Sequence, residues 1–137
     1  MRPLAIVLHT GQVAGRCVRF FRSPLSGPDF PWHSVDDLQA ALRFPSDLRG
    51  HFRAMLQRDW GDKVRTIATR GGLTTVAPHP MAQGLIDALA EFGGDPSEAA
   101  DDYAQAVGEA LQIITASMPP EASAAYALAA FQRGGGL

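Results

Sequence analysis

Arg49, Arg53 and Gln57 recur at four-residue steps, so on a helix they stand in one row along a single face. Guanidinium groups so placed can hold phosphate oxygens, and Arg and Gln can each present two planar contacts to a base edge. Arg43 precedes the row, Arg58 follows it, and Lys63, Arg65 and Arg70 lie on the next stretch of chain. The chemistry this set supports is nucleic-acid binding. Phosphate contacts would come from Arg43, Arg58, Lys63, Arg65 and Arg70, and base-edge or further phosphate contacts from Arg49, Arg53 and Gln57. The competing description is a solvated helix face whose arginines sit beside nearby acids.

Other reactive side chains make weaker sets. A nucleophile-and-base enzyme would need Cys17 or a serine beside a histidine, and no nucleophile elbow surrounds either residue type. His9, His33, His51 and His79 fall on four different elements, and Cys17 reads as a small buried strand residue. Asp36 and Asp37 are adjacent, so on a helix they diverge by about 100°. Their place in a first turn is explained by the helix dipole. No Cys/His spacing suits a structural zinc, and no Gly-rich loop leads into a helix with a lysine. The expectation is no catalytic residues, no metal and no cofactor.

The elements that must position the basic set can be read in order. Residues 4–8 form an apolar run expected to be a buried strand, and residues 16–22 alternate with β-branched and aromatic content, a second strand paired antiparallel to it. Three prolines and a glycine in residues 23–31 require a loop. Ser34 is the expected cap of a first helix, with Val35, Leu38, Ala41 and Leu42 on its apolar face and Pro45 as its stop. Ser46 is the expected cap of the second helix, whose stripe is Leu48, Phe52, Met55 and Leu56. Residues 63–70 and 73–77 flank Gly71-Gly72 as a hairpin. Pro80 opens a third helix with Met81, Leu85, Ala88, Leu89 and Phe92 inward, ended by Gly93-Gly94. Asp95-Pro96-Ser97-Glu98 starts a long helix reaching Met118, and after Pro119-Pro120 an alanine-rich helix runs to Gln132, before the glycines at 134–136. The fold class expected is α+β: a small antiparallel sheet with a hairpin packed on short helices, followed by a C-terminal helical pair. The expected division is an α+β unit over residues 1–93 and an acidic helical hairpin over 94–137, either an appendage or packed on the same core.

At 137 residues and 46% apolar content the chain can bury a core of its own. The net charge of −2 conceals an uneven distribution. Residues 1–80 hold eleven basic residues against six acids, and residues 81–137 hold one against eight. That asymmetry suits a basic half that meets an anion and an acidic half that assembles or engages a protein. One cysteine permits no internal disulfide, and no segment has the roughly 20 apolar residues of a membrane span, so the expected location is cytoplasmic.

Pro31-Trp32, then Val35-Asp36-Asp37-Leu38 and Ala41-Leu42, resemble the "PWF-x-x-x-D-V-x-x-x-L" core of the BRO-type N-terminal domain of phage antirepressors and baculovirus proteins. Gly71-Gly72-Leu73-Thr74-Thr75-Val76 followed by Gly84-Leu85-Ile86 is similar to that domain's strand, "GG" turn, strand and "G-L-Y-x-L-I" helix. Order and spacing agree over about residues 15–90. His33 stands where the family usually has an aromatic, Ile86 where tyrosine is common, and His79-Pro80 where a glutamate is frequent. The resemblance implies an α+β DNA-binding module of phage or mobile-element regulators, coupled to a region that assembles or binds another protein. The expectation is therefore a small DNA-binding, antirepressor-like regulator of transcription, dimeric through its C-terminal helices. The alternative is an interaction module whose acidic helices bind a regulatory protein without nucleic acid.

Overall fold

Gly11 and Gly15 both read as turn punctuation, yet they occupy very different places. The computed structural model describes residues 3–134, the side chain of Phe92 excepted. Strand β1 is His9–Val13, so Gly11 lies inside it, and the turn to β2 (Arg16–Phe21) is Ala14-Gly15, both with positive φ. Two left-handed residues match the twist of a tight hairpin. Asp102 supports that turn by accepting the Ala14 N–H at 3.0 Å. Gly11 is needed for a different reason: a Cβ there would come within 2.5 Å of Ala106 Cβ, on the long helix that crosses β1.

The expected first strand over residues 4–8 is not formed. That segment lies outside the ladder, with Ile6 87% exposed, and it is tied by Ala5 N to Ala68 O at 2.8 Å and Leu8 N to Phe20 O at 2.9 Å. Ala5 packs on Phe21, Trp32 and Val76, the buried cluster on the second face of the sheet. The apolar run thus partly covers a sheet face instead of filling a core.

Strand β3 (Trp32–Ser34) leads directly into helix α1 (Val35–Ala41), and helix α2 (Ser46–Asp59) follows. A single 3-10 turn then enters β4 (Arg65–Thr69), β5 (Gly72–Ala77) and helix α3 (His79–Ala88). Helices α4 (Pro96–Thr115) and α5 (Pro120–Gly134) complete the described residues. The sheet is five-stranded and antiparallel, in the order β1-β2-β3-β5-β4. The fold is therefore α+β, an antiparallel sheet with short helices and then two C-terminal helices.

Ser34 caps α1, accepting the Asp37 N–H at 3.1 Å, and Val35, Leu38, Ala41 and Leu42 are all buried. Ser46 is instead the first residue of α2, which follows Pro45 with no side-chain cap. None of the apolar stripe on α2 is fully buried, because only one flank of that helix meets the core, through Phe52 and Leu56. Asp95 caps α4 through the Ser97 N–H. Tyr103, Ala106, Val107 and Ala110 of α4 share one core with Val18, Phe20, Leu38 and Ile86, so α4 packs on the same sheet as the shorter helices. The Phe92 side chain, expected inward, and the glycines expected at 135 and 136 lie outside the described residues.

Candidate nucleic-acid interface

Strand β3 is only three residues long, which leaves β2 and β5 without a strand between them beyond Ser34. The first turn of α1 occupies that gap. Asp37 accepts the Arg19 backbone N–H at 3.0 Å, and Asp36 accepts the Thr75 backbone N–H at 2.8 Å. Two adjacent carboxylates, diverging as neighbouring helical residues do, thus serve the open edges of two strands. The dipole explanation of this pair is therefore incomplete. Asp37 also holds the Arg19 guanidinium through Nε at 2.7 Å and Nη2 at 3.1 Å, and Asp36 accepts the Thr74 hydroxyl at 2.9 Å.

This arrangement determines what becomes of the basic row. Arg53 pairs with Asp36 at 2.6 Å. Arg49 Nε donates to the Phe44 carbonyl at 2.9 Å, tying the start of α2 to the loop before it. Gln57 makes a long contact of 3.5 Å with Thr66 Oγ1. Arg58 pairs with its neighbour Asp59 at 3.0 Å, both exposed. The row on α2 does form one helix face, but two of its three members are engaged within the fold.

Arg43, Lys63, Arg65 and Arg70 are exposed and form no ion pair among the described residues. Arg65 lies directly opposite Val76, so it shares the second face of the sheet, while α2 packs on the other side. Arg70 sits at the tip of the β4–β5 hairpin. Lys63 lines a cavity with Met81 and Arg133. Arg43 is in the left-handed region, φ 58°, just past α1. Its N–H reaches the Ala40 carbonyl and the Phe44 N–H the Gln39 carbonyl, the Schellman termination in which this place usually holds glycine.

No family model, curated protein or solved structure matches the chain.

Spacing did not reveal a second polar cluster. His33 of β3 is fully buried, with Nδ1 3.2 Å from the Tyr103 hydroxyl of α4, and His79 of α3 stacks on the Tyr103 ring at 5.5 Å. Burial first, then the neighbouring His79, lowers the His33 pKa to about 3; burial alone lowers that of His79 and raises that of Tyr103. Two of the four histidines therefore converge on the Tyr103 ring, His33 fully buried and His79 half-buried. His9 instead meets Glu109 at 3.3 Å, and His51 lies on the exposed side of α2. Cys17, expected inside, is exposed: it pairs with Gln12 on the face away from the helices. Among the described residues no group of three or more His, Cys, Asp or Glu is placed to hold a metal ion, and no helix is long and apolar enough to cross a membrane.

Proposed function

We propose that this protein is a small DNA-binding regulator, antirepressor-like and of phage or mobile-element type, acting in the cytoplasm. The observation that carries the reading is the pair Arg65 and Arg70, exposed and free of ion pairs among the described residues, on an edge hairpin of the sheet. A two-stranded ribbon is a known way to approach a duplex. The charge of the first 80 residues and the ordered motifs over about residues 15–90 support it further. Arg43, Arg58 and Lys63 supply additional phosphate contacts. Gln57 is the residue of the α2 row best left for a base edge, while Arg49 and Arg53 chiefly hold α2 in place.

The direct test is DNA binding across a salt series. The double variant Arg65→Ala/Arg70→Ala is expected to bind at least tenfold more weakly at low salt, with the slope of log K against log salt less steep by about 1 to 2.

Arg43→Gly separates stability from binding. Glycine tolerates the left-handed backbone without the side-chain penalty, so the variant is expected to be more stable by about 1 kcal/mol in urea denaturation. In the same preparation its DNA affinity is expected to fall. Unchanged affinity in the folded variant would remove the phosphate role from Arg43.

A second reading is favoured by the C-terminal helices. Ile113 of α4 and Leu128 and Phe131 of α5 are each 46–59% exposed on the acidic half. Such exposed apolar residues suit either a homodimer of the regulator or, as the alternative function, capture of a regulatory protein without nucleic acid.

A further inference from the structure

The loop over residues 23–31, the start of α3 and the end of α5 enclose a cavity of about 170 Å³. Its walls are apolar: Leu25, Trp32, Pro78, Pro80 and Met81. Two cations also line it, Lys63 and Arg133, both exposed. The one carboxylate in the lining, Asp29, is buried and bound to neutral donors, namely the Ser23 hydroxyl at 2.5 Å, the Phe30 N–H at 2.9 Å and the Trp32 indole N–H at 3.2 Å. Arg133 donates to the Ser26 and Pro28 carbonyls, which are neutral. Neither cation has a carboxylate partner among the described residues.

We propose that this cavity binds a small monocarboxylate with an apolar body, the carboxylate meeting Lys63 and Arg133 and the body resting against Leu25 and Met81. Two cations against one carboxylate favour an anionic occupant, and the apolar walls disfavour a bare inorganic anion, which would lose hydration without finding enough donors. A cavity of this size is about half the lower end of the range for drug-sized ligands, so the body is limited to about one ring or one branched alkyl group. The site gives Lys63 a role that does not depend on DNA.

Trp32 supplies the readout, because it is 1% exposed in the wall of the cavity, whereas Trp60 is 49% exposed. In a Trp60→Phe background, Trp32 emission is followed while benzoate, benzamide or inorganic phosphate is added to the full chain. A saturable response to benzoate is expected, with benzamide and phosphate at least tenfold weaker. Lys63→Met is expected to weaken benzoate at least tenfold and leave benzamide unchanged, with an unaltered melting curve showing that the fold is retained. No saturable response to benzoate, an equal response to benzamide or phosphate, or an unchanged benzoate affinity in Lys63→Met would each overturn the proposal.

Discussion

Asp36→Ala is expected to cost about 3 kcal/mol of folding stability, close to the upper end for a single polar truncation. The carboxylate accepts three donors, the Thr75 backbone N–H, the Thr74 hydroxyl and the Arg53 guanidinium. Its removal leaves a backbone donor on a buried strand residue without an acceptor and frees a partly buried cation. Thr74 keeps a partner in the Ser34 hydroxyl at 2.7 Å, which limits the loss. Asp37→Ala is expected to cost a similar amount through the Arg19 backbone and guanidinium. Asp36→Asn retains an oxygen for the Thr75 N–H and should lose roughly half as much. Asp47 is the natural control, an exposed aspartate in the first turn of α2. If Asp36→Ala and Asp47→Ala shift the urea midpoint equally, Asp36 contributes no more than a dipole interaction of about 0.5 kcal/mol.

Acidification is expected to destabilise the fold over a window set by His33. Its pKa is about 3 in the folded chain and near the ordinary 6.5 when unfolded. Between these values the unfolded chain binds a proton that the folded chain does not. Stability from this group is therefore fully present above pH 6.5 and falls as the pH drops, by up to about 1.4 kcal/mol per pH unit, levelling off near pH 3. His79 is shifted the same way by burial and adds to the loss of stability on acidification. The variant His33→Gln keeps a polar group toward the Tyr103 hydroxyl but cannot titrate. It is expected to be less stable at pH 7, with the change between pH 7 and pH 5 cut by at least half. Urea denaturation at the two pH values measures this, and an unchanged pH dependence in the variant would show that His33 is not the group responsible.

Helix α1 and the β4–β5 hairpin were legible because their signals are local. Ser34 meets an N–H three residues on, and Gly71-Gly72 supplies a turn between strands that pair with each other. The first strand was misplaced because apolarity was weighed without its neighbours. Residues 4–8 are the more hydrophobic, but residues 9–13 have β2 beside them and α4 above, and the close approach of Ala106 is what requires Gly11. The candidate interface was legible only in part. Four-residue spacing correctly grouped Arg49, Arg53 and Gln57, but it could not show that Arg53 meets a carboxylate 17 residues earlier in the chain. Nor could spacing join His33, His79 and Tyr103, whose contact exists only once α3 and α4 pack on β3.

The most direct measurement compares two double variants by fluorescence anisotropy on a labelled duplex across a salt series, Arg65→Ala/Arg70→Ala and Arg49→Ala/Arg53→Ala. Wild-type binding is expected to weaken steeply with salt, and the first pair is expected to lower both the affinity and the slope. The second pair is expected to act mainly through stability, with a shifted melting curve and a smaller loss of affinity in the fraction that remains folded. Absence of binding at low salt, or equal losses of affinity and slope from the two pairs in folded protein, would contradict a DNA surface carried by the β4–β5 hairpin.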